Sequence, residues 1–144
     1  MAHESESLTA WQRAWRYGIA PSLSAKGLLA LQQALERGDP ALIQGATIVP
    51  PPLQAVQNWS VEAACAIGYA GWRGEGLNTV AQVEAFFAHV CFEADQELGE
   101  PAAASYFLNA YDTWTRSEMR RLLLPEVNLA LAQRGGQQDD VLCT

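Results

Sequence analysis

His89 and Glu93 stand four residues apart in a strongly helical stretch, with Gln96 on the same side, a spacing that can aim side chains at one metal ion. A metal site needs further ligands. At about 100° per residue His89 falls about 140° from the centre of the apolar stripe of its helix, so it turns toward solvent. The other histidine, His3, lies at the amino terminus. The expectation is an exposed pair with no metal. Of the three cysteines, Cys65, Cys91 and Cys143, none forms a Cys-x-x-Cys pair, and an odd number cannot all pair within one chain. Cys65 and Cys91 both fall among apolar residues and read as buried, unreactive thiols, since a reactive thiolate needs exposure and a neighbouring positive charge. A Cys65–His89 dyad would require the fold to bring the two together. No catalytic set and no cofactor follows from these residues.

Glu126 admits two readings. On a helix continuous through Pro125 it projects between Met119 and Ala130 on the apolar face, where a carboxylate needs a raised pKa or a basic partner. If Pro125 instead opens a new helical segment, Glu126 sits in its first turn, where the helix dipole favours negative charge. The second is the expectation.

The most unusual stretch is Gly68, Gly71, Gly74 and Gly76 interleaved with Tyr69, Trp72, Arg73 and Glu75, read as a loop. It shares only glycine content with a phosphate cradle: it follows a helix, lacks the Lys-Ser/Thr pair and carries Glu75 where an anion would approach. Trp and Arg are enriched at binding hot spots, so Tyr69, Trp72, Arg73 and Glu75 form a candidate partner- or ligand-binding surface. The competing reading is a long turn whose Trp72 folds back on the core. Phe92 lies about 160° from the stripe centre and Phe86 on its shoulder, which calls for a second buried face. A homodimer contact, or another helix of the same bundle, would cover them.

These residues need a scaffold, and the composition describes one. The 144 residues are 49% apolar and 17% charged, enough for one core beneath a thinly charged surface that favours self-association. Sixteen acidic against nine basic side chains give a net charge of −7, and the basic ones run from Arg13 to Arg134 without a stripe, so nucleic acid is not an expected partner. The densest basic group, Arg116, Arg120 and Arg121, reads as a solvated face near a helix start. Met1 to Ser7 lacks the order of a signal peptide, and no apolar run approaches the ~20 residues that span a bilayer. With the unpaired cysteines, this points to the cytoplasm and to no membrane contact.

Helical punctuation recurs along the chain. Thr9 with Gln12 makes a capping box for a helix to about Ala20, stopped by Pro21, with Leu8, Trp11, Trp15 and Ile19 on one stripe. A second helix, Leu23 to Arg37, carries Leu28, Leu31 and Leu35 and ends at Gly38. Asp39 and Pro40 suggest a short helix before Gly45, Thr47 to Pro52 an extended proline connector, and Leu53 to Asn58 renewed helix. Ser60 can cap a helix through Ala64, Cys65 and Ile67 to Gly71. Thr79 with Gln82 opens a long helix closed by Gly99 and Pro101, its stripe running through Val80, Val83, Phe87, Val90, Ala94 and Leu98. Pro101 can be the first residue of a helix through Tyr106, Phe107, Ala110, Tyr111 and Trp114. Thr115 with Glu118 opens the last, through Met119, Leu122 and Leu123 toward Gly135, with a kink or break at Pro125.

The expected fold is all-α: an irregular bundle of about five to seven helices in one domain over residues 9–135, with one extended proline-rich connector, a frayed segment 1–8 and a disordered tail 136–144. The expected function is that of a non-catalytic helical protein that forms a homo-oligomer and binds a protein partner. The alternative is a small helical ligand-binding protein or enzyme, its small-molecule pocket lined by Tyr69, Trp72, Tyr106 and Tyr111, with Arg73 or a carboxylate as polar contact.

Overall fold

Three Thr-x-x-Gln/Glu boxes start three of the helices in the computed structural model, which describes residues 8–46, 48–49 and 59–143. Thr9 Oγ1 accepts the Gln12 backbone N–H at 3.3 Å while Gln12 Oε1 accepts that of Thr9 at 3.0 Å, opening α1, Ala10–Ala14. The rod does not stop there. It continues as a π turn, Trp15–Ile19, and a 3-10 turn, Ala20–Ser22, so Pro21 ends the rod from inside its last turn. Ser24 caps α2, Ala25–Arg37, which closes on Gly38 in the left-handed conformation at φ 65°.

Ser60 caps nothing: it lies in an isolated bridge with Thr79, and Ala63–Ala64 form a short strand β2, paired antiparallel with β1, Ile48–Val49. The next helix starts later than expected, as α3, Ala66–Tyr69, and runs on into a second π turn, Ala70–Gly74. Much of the expected glycine loop is therefore helical. The capping box at Thr79 opens α4, Val80–Leu98, and Gly99 closes it at φ 67°. Pro101 stays outside the next helix, α5, Ala104–Thr113, because Asp95 on α4 takes over the start. Its carboxylate accepts the backbone N–H of Ala102 at 3.1 Å and of Ala104 at 2.9 Å.

The last helix, α6, spans Arg116–Cys143 without a break at Pro125. A proline inside a helix removes a backbone bond and costs about 3 kcal/mol. Here Pro125 faces outward while Met119, Leu123, Val127 and Ala130 are buried on the opposite face and hold the helix together. The helical backbone continues past Gly135 to Cys143. The short helix expected after Asp39 is absent: its carboxylate accepts the Ala41 N–H at 2.9 Å in a turn. The expectations for Thr47, 50–58, 1–7 and Thr144 lie outside the described residues.

The described residues thus form a single helical domain of six α-helices with one two-residue ladder. α2 packs on α6 and on the second π turn, the first π turn packs on α4, and α1 packs on α5. At the centre Trp15 meets Phe107 at 5.2 Å between ring centroids, and Phe107 stacks on Tyr111 at 5.5 Å. Trp11 stands edge-on to Trp114 at 4.9 Å. Among the described residues no helix is long and apolar enough to cross a membrane.

Glu126 reverses the sequence expectation. Because α6 is continuous, the carboxylate points inward at 6% exposure and meets Arg16 of the first π turn through two bonds of 2.8 and 3.0 Å, with Gln12 Nε2 donating at 3.3 Å. The pair clamps α6 to the amino-terminal rod. Breaking a fully buried pair costs about 3–5 kcal/mol; Arg16 keeps contact with water, so Glu126→Ala is expected to lower stability by about 2 kcal/mol. Urea unfolding of Glu126→Ala, Arg16→Met and the double variant measures it, and additive losses would show that the two side chains are uncoupled.

Candidate functional site

The four residues singled out on the glycine-rich stretch are placed by α3 and its π turn. Tyr69 is turned inward and its hydroxyl donates to Asp39 Oδ2 at 2.6 Å, while Arg37 Nη2 donates to that hydroxyl at 3.3 Å and to Asp39 at 3.2 Å. Trp72 is half-buried, edge-on to Tyr69 at 5.7 Å, and the Arg73 guanidinium lies 5.2 Å over its ring. Arg73 and Glu75 face outward. Trp72 does fold back on the core, but from a helical turn rather than from a loop. A chain of contacts thus runs Arg73, Trp72, Tyr69, Asp39, Arg37 from one helix to the next.

This chain is electrostatically committed. The bond from Tyr69, helped by the Ala41 N–H and Arg37, holds the Asp39 carboxyl below its ordinary value. Burial, and then the bond to Asp39, pushes the Tyr69 phenol up to about 12. A phenol whose folded pKa exceeds its unfolded value of about 10 contributes stability that is complete below pH ~10 and lost as pH rises through the folded value. Tyr111, also raised by burial, acts in the same direction, so the informative comparison is with Tyr69→Phe. Unfolding free energies between about pH 9 and pH 12 should fall less steeply in that variant; parallel curves would remove Tyr69 from the account.

Of the four aromatics of the alternative pocket, Tyr69 and Trp72 are the pair in ring contact among the described residues. Tyr69 pairs with Trp72, whereas Tyr111 is fully buried against Phe107 with its hydroxyl donating to Ile43 O at 2.7 Å. Tyr106 is 44% exposed and donates to Glu100.

On α4, Phe92 is 58% exposed, the most exposed large apolar side chain described. Phe86 is half-buried and lies over Gly71 so closely that an added Cβ there would fall 2.6 Å from its ring. The shoulder residue thus already has a place in this chain's own packing. His89 is exposed, and no group of three His, Cys, Asp or Glu side chains converges among the described residues. Cys65 is buried and Cys91 half-buried; burial pushes both thiols up to about 11 and keeps them protonated.

Sequence reasoning passed over one feature. The bases Arg116, Arg120 and Arg121, read as a solvated face, stand along a cleft of about 580 Å³ between α2 and α6, whose apolar lining includes Leu35, Met119 and Leu124. The signal was present in the i, i+4 spacing of Arg116 and Arg120; what the sequence could not show was that α2 lies opposite. Comparison with protein-family models, with curated proteins and with solved structures gives no match.

Proposed function

We propose that the chain is a non-catalytic, cytoplasmic helical protein that self-associates through the outer face of α4 and binds a protein partner. The observation that carries this is Phe92, 58% exposed in the interior of a 19-residue helix whose inner face is packed by Val83, Val90 and Ala94. An apolar ring left in water costs about 25 cal/mol for each Å² a partner could cover. Phe92 also walls a shallow pocket with Gly99, Pro101 and Ala102 at the corner into α5, a recess that a facing side chain can fill. The partner-binding surface is the outward side of the second π turn, where Arg73 and the half-buried Trp72 are of the residue types that concentrate binding energy and Glu75 stands beside them.

Light scattering at tens of micromolar tests the self-association. The wild type is expected to be a dimer or larger, and Phe92→Glu, which puts a charge into the apolar contact, is expected to be a folded, smaller species. A monomeric wild type, or a variant that unfolds instead of dissociating, would overturn the assignment.

A further inference from the structure

We infer that the cleft between α2 and α6 binds a small amphipathic anion, a carboxylate or phosphate monoester attached to an apolar body. Its volume, about 580 Å³, lies inside the range of small-molecule sites, which runs from about 300 to 1,000 Å³. Its floor is apolar, with Leu35 of α2 and Met119 of α6 buried beneath it and Leu124 half-buried at its side, so an alkyl or aryl group laid over them leaves water.

Charge selects the other half of the ligand. The chain carries a net charge of −7 with only nine basic side chains, yet three of the nine line this one cleft. They are not equivalent. Arg116 is committed to the protein, donating to the backbone oxygens of Asp39, at 2.8 Å, and of Leu42. Among the described residues Arg121 has a single loose contact, 3.9 Å to Glu118, whose carboxylate also accepts the Thr115 N–H at 2.9 Å. Arg120 has no hydrogen-bond or ion-pair partner among the described residues. Arg116 therefore braces the wall, and Arg120 and Arg121 hold the donors. Planar guanidinium groups bind carboxylate and phosphate oxygens two at a time, which neutral or cationic ligands cannot reward. Asn128, on the same helix as the arginines, has its amide oxygen taken by Gln32 Nε2 from α2 at 2.8 Å, and its Nδ2 is a neutral donor beside the charged guanidinium groups.

The test is calorimetric titration of the full chain with octanoate, octyl phosphate and octanol, repeated with Arg120→Ala/Arg121→Ala. Both side chains are exposed, so the double variant should keep the wild-type melting temperature. One of the two anions is expected to bind one-to-one, at least ten-fold tighter than octanol, with affinity that falls with added salt and drops ten-fold or more in the double variant. Whichever of octanoate and octyl phosphate binds better identifies the head group. Binding of neither anion, equal binding of octanol, or anion affinity untouched in the double variant would overturn the inference. So would a double variant that changes oligomeric state by light scattering while its anion affinity is unchanged, since the cleft would then be a contact between chains. Phe92→Glu should leave the titration unaffected, so loss of the self-association proposal and loss of this one are separable.

Discussion

Trp15→Ala is expected to lower the unfolding free energy by about 4 kcal/mol, a large share of the roughly 5–15 kcal/mol by which domains are stable. Trp15 is fully buried, opens the first π turn and meets Phe107 at 5.2 Å, so truncation leaves a void bordered by helix α5 and the rod it belongs to. A second substitution separates packing from polarity. The Trp15 indole nitrogen is buried without a hydrogen-bond partner among the described residues. Trp15→Phe removes that donor while keeping a ring against Phe107, so it should cost less than about 2 kcal/mol. Urea unfolding at 25 °C reads both values. Equal losses in the two variants would mean that a phenyl ring recovers none of the indole's packing and that the contact with Phe107 is not what Trp15 contributes.

Gly74→Ala is expected to cost about 3 kcal/mol, because the added methyl has nowhere to go. A Cβ there would lie 2.7 Å from the backbone nitrogen of Gly27 and 2.8 Å from the oxygen of Lys26, atoms of a helix that can move only as a body. The reciprocal change is milder. A Cβ on Gly27 meets the methyl of Ala70 at 3.1 Å, and alanine gains about 1 kcal/mol of helix propensity over glycine. Gly27→Ala should therefore stay within about 1 kcal/mol of wild type. Melting temperatures of the two variants decide it: a harmless Gly74→Ala, or a Gly27→Ala as damaging, would show that α2 and the second π turn are not held at that separation.

Helix ends were legible because they are local chemistry. Thr9, Thr79 and Thr115, each followed three residues later by Gln or Glu, and the glycines at 38 and 99, form the expected caps. What failed was decided by a distant neighbour. Pro125 looked like a stop, but the helix around it is fixed by burial of Leu123 and Val127 and by Arg16 meeting Glu126 from 110 residues away. Asp39 looked like a cap for its own segment and instead serves Tyr69 and Ala41. The glycines at 71 and 74 looked like turn residues and are spacers, one beneath Phe86 and one against Gly27. The arginine cleft was half visible, since sequence shows the charges of α6 but not the apolar face of α2 opposite them.

The two π turns have a consequence for how this chain can vary in length. In Trp15–Ile19 the Ala20 N–H reaches back five residues to Trp15, and in Ala70–Gly74 that of Glu75 reaches Ala70 at 3.1 Å, so each turn holds one residue more than an α-helical turn. Each helix therefore carries a surplus residue that it could lose and still be helical. Because the wide turn closes over one extra residue, its loss would return an α turn and leave the phase of the helix beyond it nearly unchanged. What a deletion would alter is the turn itself, which in the first rod presents Trp15 and Ile19 to the core and in the second sets Gly71 beneath Phe86 and Gly74 against α2. The packing of those residues, rather than helix formation, is what the extra residue in each turn serves.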